Sequence, residues 1–305
     1  MISKFRIGVL VIILNFFASV AMIWGQDNPS LLQMAVPSLN IAPDARGGGM
    51  GDMGAATLPD INSQYWNAAK YAFMGSKAGV SLSYTPWLRK LVNDVALVNM
   101  TGYYKLGNSD LQAISASLRY FSLGEVNIWE NIGDVPYGLN PYEMAFDVAY
   151  SRKLSESYSM AVTLRYIRSD MGTDQNDESN AGNAFSADIS GYLEKYVLMG
   201  NAEALWSFGF NLSNIGSKIS YDGGNTNQYL PAKLTLGTGL LYPIDDYNQI
   251  GVYLDLNKYM VPYAPQKEEG ETDADYQTRV DDYKSWSSLS GMLKSFTDSP
   301  NGLLK

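Results

Sequence analysis

From Val80 onward the chain alternates apolar and polar residues with a period of two, the mark of extended segments with one apolar and one polar face. Val80, Leu82 and Tyr84 begin the series. Ile114, Ala116, Leu118 and Tyr120 alternate with Ser115, Ser117 and Arg119, and Phe146, Val148 and Tyr150 alternate with Asp147, Ala149 and Ser151. Tyr158, Met160, Val162, Leu164 and Tyr166 oppose Ser159, Ala161, Thr163 and Arg165; Phe185, Ala187 and Ile189 oppose Ser186, Asp188 and Ser190. Trp206, Phe208, Phe210 and Leu212 oppose Ser207, Gly209, Asn211 and Ser213. Two more segments complete the pattern: Leu234, Leu236, Thr238 and Leu240 against Thr235, Gly237 and Gly239, and Ile250, Val252, Leu254 and Leu256 against Gly251, Tyr253, Asp255 and Asn257.

A soluble β-sandwich shows the same alternation, so the order of connection lengths decides. Short links span 106–110, 153–156 and 243–248, with a slightly longer one at 194–204; long ones span 122–143, 169–182 and 214–231. Tight turns taking turns with long loops are the habit of outer-membrane barrels. Residues 157–168 suffice for a tilted crossing of about 9 to 11 residues. After residue 25 no run approaches about 18 consecutive apolar residues, so any crossing there must use strands. The expectation is an all-β protein, a transmembrane antiparallel β-barrel with its apolar residues toward lipid and its Ser, Asp, Arg and Asn residues toward the lumen.

The chain opens with Lys4 and Arg6, continues with an apolar run from Ile7 to Trp24, and turns polar at Gln26, the order of a secretory signal peptide. Cleavage fits after Ala21 or after Gly25, and the loss of hydrophobicity at Gln26, Asp27 and Asn28 favours the second. No cysteine follows the run, which excludes a lipoprotein anchor. The sequence holds no Cys and no His, which removes disulfides, thiolate and imidazole metal sites, and every Ser-His or Cys-His catalytic arrangement. Net charge is −9, and loss of Lys4 and Arg6 with the signal takes it to −11, so nucleic acid is not an expected partner. With 22 Tyr, 6 Trp and only 17% charged residues, the composition suits aromatic girdles around a lipid-facing band.

Two stretches break the alternation. Residues 42–73 are rich in Gly, Ala, Asp and Asn, and Gly47, Gly48, Gly49, Gly51 and Gly54 let backbone pack closely or take positive φ, so a compact plug inside the barrel is expected. Met50-Gly51-Asp52 lacks the Lys-Ser/Thr ending of a nucleotide-binding loop. Residues 262–305 carry Glu268, Glu269, Glu271, Asp273, Asp275, Asp281 and Asp282, a solvated loop or short amphipathic helix. The chain divides into a signal peptide (1–25), a Gly-rich plug segment (26–78), barrel strands (79–257) and an acidic extracellular loop (258–305). Nine strands are counted, an odd number, and residues 298–305 read as a turn rather than an aromatic-ended last strand. Single-chain bacterial barrels use even numbers, so a C-terminally truncated barrel is expected.

Residues 42–57, Ala-Pro-Asp-Ala-Arg-Gly-Gly-Gly-Met-Gly-Asp-Met-Gly-Ala-Ala-Thr, followed by Tyr65-Trp66-Asn67-Ala68-Ala69, resemble the amino-terminal signature of the PorV family, which is itself similar to FadL-type barrels. Residues 81–94 and 114–125 extend the resemblance, which covers most of the chain from about Ala42 onward. Asp44, Arg46, Gly47, Gly48, Gly49, Gly51, Trp66 and Asn67 carry the motif. The resemblance implies a FadL-like barrel of about 14 strands in the outer membrane, within the even-numbered range of such barrels. It implies a component of the type IX secretion system that escorts cargo with a C-terminal signal domain from the translocon barrel to a surface-attachment complex with a signal peptidase-like sortase. No cofactor and no metal are expected.

Three functions are weighed. In a binding and shuttle protein, the 122–143 loop, with Trp129, Tyr137 and Tyr142, meets the translocon or the cargo. The competing reading of those aromatics is anchorage at the outer lipid boundary. A FadL-like transporter of hydrophobic small molecules needs an apolar path through the lumen, whereas Arg119, Asp147, Arg165 and Asp188 fill a closed one. An enzyme such as a lipopolysaccharide deacylase finds little support, because Ser and Asp alternate simply as one strand face, and no Gly-x-Ser-x-Gly elbow presents a nucleophile.

Overall fold

The computed structural model describes residues 32–107, 110–128, 135–172, 181–200, 202–224, 226–268 and 270–297. The expected signal peptide lies outside the described residues. Nine strands form one antiparallel sheet: β1 (Ala78–Pro86), β2 (Val95–Leu106), β3 (Gln112–Leu123), β6 (Tyr142–Lys153), β7 (Tyr158–Asp170), β8 (Gly182–Met199), β9 (Ala202–Gly216), β10 (Lys233–Pro243) and β11 (Gln249–Tyr259), neighbours in that order. A small hairpin, β4 (Val126–Ile128) with β5 (Tyr137–Leu139), stands within the β3–β6 connection.

Every strand read from alternation is present. β2 is the strand for which no alternation was evident, because its inward face carries Leu97 and Tyr103 beside Asn99, Thr101 and Lys105. One connection is corrected: the link placed at 194–204 is a tight turn, since β8 continues to Met199 and β9 resumes at Ala202. Glu194 to Met199 pair with Ala202 to Ser207, so hydrogen bonding extends the hairpin where composition suggested a loop.

The sheet is inside out by the standard of a soluble protein. Ser117, Arg119, Asp147, Thr163, Arg165, Asp188 and Asn211 are buried, while Leu82 (72% exposed), Leu164 (66%), Phe185 (68%) and Val252 (66%) face outward. Residues 35–74 cover the polar face. Here lie helix α1 (Ala45–Gly49), helix α2 (Ser63–Trp66) and two 3-10 turns, Pro37–Asn40 and Ala68–Phe73.

This inner segment shows that the sheet curls. Ser83 Oγ of β1 donates to Pro43 O at 2.6 Å, and Gly54 N donates to Asp255 Oδ2 of β11 at 2.8 Å, so a short stretch touches both edge strands. Laid flat, eight strand spacings separate the edges by about 38 Å. From Pro43 to Gly54, with Ala45–Gly49 helical, the chain reaches about 28 Å at most. The polar face is therefore concave and wraps the segment.

Beyond β11, helix α3 (Asp273–Ser285) begins at Thr272, whose hydroxyl accepts from Asp275 N, and buries none of its residues. Helix α4 (Ser288–Lys294) instead buries Met292 against Ala232 and Met260.

Candidate functional site

The concave face is built in three layers. At the short-turn end, Ala68, Ala69 and Tyr71 of the inner segment pack on Tyr103, Ala113, Ala149, Ala161 and Tyr192 of the strands. Tyr71 stacks on Tyr103 with ring centres 4.9 Å apart, which accounts for Tyr103 on the inward face of β2. At the long-loop end, Ala35, Val36 and Leu39 pack on Ala145, Ile167 and Ala184, and the 217–232 connection folds inward to add Ile219 and Leu230. Ala35 N donates to Tyr229 O at 2.9 Å, tying that connection to the inner segment.

Between the two apolar layers lies a polar one. Arg165 Nε donates to Asp147 Oδ1 at 2.6 Å, Arg165 Nη2 donates to Asp188 Oδ2 at 2.9 Å, and Arg165 also bonds Asn214 Oδ1. A register shift between Ala187 and Ile189 marks a bulge beside Asp188, whose Oδ1 accepts from Asn214 N at 2.7 Å. Asn214 takes a positive φ of 60° there, a conformation Asn tolerates better than most residues. Arg119 lies over the Tyr65 ring at 4.6 Å and donates to Ser38 O at 2.9 Å. Glu143 accepts from Ser38 N at 3.0 Å. The four charges expected in the lumen thus share one buried layer, three of them in one bonded network. A cavity of about 30 Å³ remains, bordered by Asp52, Arg119, Lys233 and Asp255, room for little more than a water molecule.

The motif residues organise the inner segment itself. Asp44 caps α1, its Oδ1 accepting from Gly47 N at 2.7 Å, and its Oδ2 accepts from Trp66 Nε1 at 2.8 Å. Arg46 pairs with Asp60. Trp66 fills the space over two glycines: a Cβ on Gly47 would lie 2.3 Å from Trp66 Cζ2, and one on Gly54 2.2 Å from Trp66 Cγ. Gly51 has a φ of +80°, whereas Gly48 and Gly49 meet nothing and have no packing reason to be glycine. Asn67 is the link to the sheet, its Nδ2 donating to Ala55 O and to Gly191 O, each at 2.9 Å, and its Oδ1 accepting from Ala69 N.

Lys70 and Asp255 complete this scaffold and were not singled out in the sequence. Lys70 Nζ donates to Gly54 O at 2.9 Å and Thr57 Oγ1 at 3.1 Å, and burial pulls its pKa down from 10.5 to about 8. Asp255 Oδ2 accepts from both Gly54 N and Ala55 N. The only signal either offered was a lone charge, in the Tyr-Trp-Asn-Ala-Ala-Lys run and on the polar face of β11 respectively.

The three loop aromatics are not brought together among the described residues. Trp129 lies outside them. Tyr137 belongs to the backbone of β5, paired with Ile128. Tyr142 opens β6 rather than standing on the loop, stacks on Tyr120 at 5.4 Å and accepts from Arg168 Nε at 3.0 Å.

No curated protein matches the chain. The polar face wrapped on a Gly-rich inner segment, capped by Asp44 and filled by Trp66, is the structural form of the motif that resembled one family in the sequence. The model of that family, type IX secretion system protein PorV, matches residues 25–267, well over half the chain, and this protein belongs to the PorV family.

Proposed function

We propose that this type IX secretion system component is an integral outer-membrane barrel without enzymatic activity, exported by a cleavable signal peptide. In this reading it binds the C-terminal signal domains of cargo and shuttles them from the translocon barrel to the surface-attachment complex with its sortase. The observation that carries the reading is the inverted sheet, polar side buried and apolar side exposed. A contiguous apolar surface of that extent drives association in water but is solvated by lipid tails.

Residues 26–78 act as a plug, and further strands, to about 14 in all, close the barrel by pairing β1 and β11. The apolar layers at both ends of the polar one favour a scaffold that works through its loops over a path for small molecules. Residues 258–305 form an acidic extracellular loop, and Trp129 and Tyr137 of the 122–143 loop serve partner binding. Tyr142, stacked at the strand end, serves at the boundary between lipid and partner.

The test is a pull-down of the tagged full-length protein from detergent-solubilised outer membranes, read by mass spectrometry. Co-purification of a large translocon barrel, surface-attachment proteins or exported cargo is the expected result. A protein that comes down alone with free fatty acid in its interior would overturn the reading in favour of a FadL-like transporter.

A further inference from the structure

The outward face of the sheet is not uniformly studded. Across β1, β2, β3 and β6, residues Leu82, Met100, Leu118 and Phe146 form one cross-strand row, and Ala78, Tyr104, Ile114 and Tyr150 form another. Between them runs Val80, Gly102, Ala116 and Val148, a row whose two central members are nearly bare of side chain. The result is an apolar groove of about 520 Å³ with Gly102 and Ala116 in its floor and Val80, Met100, Tyr104, Ile114, Leu118 and Phe146 among its walls.

Nothing in the fold requires this gap. A Cβ on Gly102 would meet nothing nearer than Gly79 O at 3.5 Å, and its backbone has no positive φ. Glycine in a strand interior weakens the strand and marks a bulge, a bend or the close approach of a ligand. β2 pairs through Gly102 without a register shift on either side, so no bulge accounts for the glycine.

The groove leads toward the short-turn rim, where cations gather. Lys77 Nζ lies 5.8 Å from the centre of the Tyr104 ring. Arg152, opposite Gln112 and one outward position beyond Tyr150, is exposed and forms no ion pair among the described residues. Asp110 stands 3.8 Å from Lys77 and offsets part of that charge, which leaves Arg152 as the principal cation. An apolar groove in a lipid-facing surface, with a guanidinium and an ammonium at the depth of the headgroups, matches an acyl chain joined to a phosphate.

We infer that this groove holds one acyl chain of an anionic phospholipid from the leaflet at the short-turn end, its phosphate met by Arg152 and Lys77. The inference rests on the reading of the apolar face as lipid-facing. Bound there, the lipid fills the dent beside the edge strand β1 and leaves the interior untouched.

The test uses the full-length protein purified from outer membranes in mild detergent and exchanged into vesicles of phosphatidylethanolamine with phosphatidylglycerol. Native mass spectrometry is expected to show one phosphatidylglycerol retained, a loss of at least tenfold in Gly102→Leu and in Ala116→Leu, and lost preference for the anionic lipid in Arg152→Gln. Equal retention by the wild type and both groove variants overturns the inference, as does retention of lipid A in place of phospholipid. Loss of a co-purifying protein in the groove variants, with lipid unchanged, overturns it in favour of a protein occupant. Because the chain has no cysteine, a nitroxide on Leu236→Cys, outward on β10 and four strands from β6, reports the underlying reading separately. Access to oxygen but not to a water-soluble relaxant supports a lipid-facing sheet whatever the groove variants do, and the reverse removes the basis of both claims.

Discussion

Replacing Arg165 with methionine leaves Asp147 and Asp188 buried on the concave face without the cation both now bond. The expected cost separates two pictures of the interior. In a water-filled lumen the pairs are solvated and screened, and their loss costs about 0–1 kcal/mol. Where the layer is packed, as around this trio with side chains only 5–9% exposed, removing one partner strands two carboxylates, and the cost is about 3–5 kcal/mol. Neutralising the stranded groups should restore most of the loss, so Arg165→Met with Asp147→Asn and Asp188→Asn is expected to recover well over half of it. Asn214 Oδ1 also loses its Arg165 donor, and neither Asp→Asn change replaces it, which is why recovery is incomplete. The assay is urea unfolding in lipid vesicles, followed by tryptophan fluorescence and by the heat-dependent gel mobility of folded barrels. A cost below about 1 kcal/mol for Arg165→Met, or a triple variant no more stable than the single one, would refute the closed polar layer.

Other perturbations probe the remaining levels of the structure. Gly54→Val sets a side chain against Trp66, whereas Gly48→Ala meets nothing; limited proteolysis should expose the inner segment in the first and leave the second like the wild type. Val162 faces outward between Tyr150 and Ile189, and Val162→Arg should cost about 2–4 kcal/mol in a bilayer while changing little if that face meets water. Lys70 has a folded pKa of about 8 against an ordinary 10.5, so between those values the unfolded state binds more protons and stability rises with pH. The slope approaches about 1.4 kcal/mol per pH unit, and Lys70→Met should flatten it in unfolding titrations from pH 8 to 10.5.

Much of the sheet is legible in the chain because strand periodicity is local: Ile114 to Tyr120 or Tyr158 to Tyr166 must place successive side chains on opposite faces in any extended pairing. The same locality explains the misreading at 194–204, where Glu194, Lys195 and Gly200 look like a loop and only pairing with β9 extends the strand. β2 was hard to read for the opposite reason. Its inward Tyr103 answers to Tyr71, a partner 32 residues away in a different kind of segment.

The motif shows the same division. That Asp44, the glycines, Trp66 and Asn67 belong together was apparent from their spacing and family resemblance, and short-range bonds such as Asp44 to Gly47 are encoded there. Their task was not apparent, because it depends on contacts such as Asn67 to Gly191, 124 residues apart. Alternation is symmetric: it determines that a polar and an apolar face exist, and composition and loop order argue for a membrane. Which face is buried, that Arg165 serves Asp147 and Asp188 together, and that an apolar layer flanks the polar one on each side, were decided only when the sheet curled around residues 35–74. Burial is a property of what covers a surface, and the covering segment is distant in the chain from almost everything it touches.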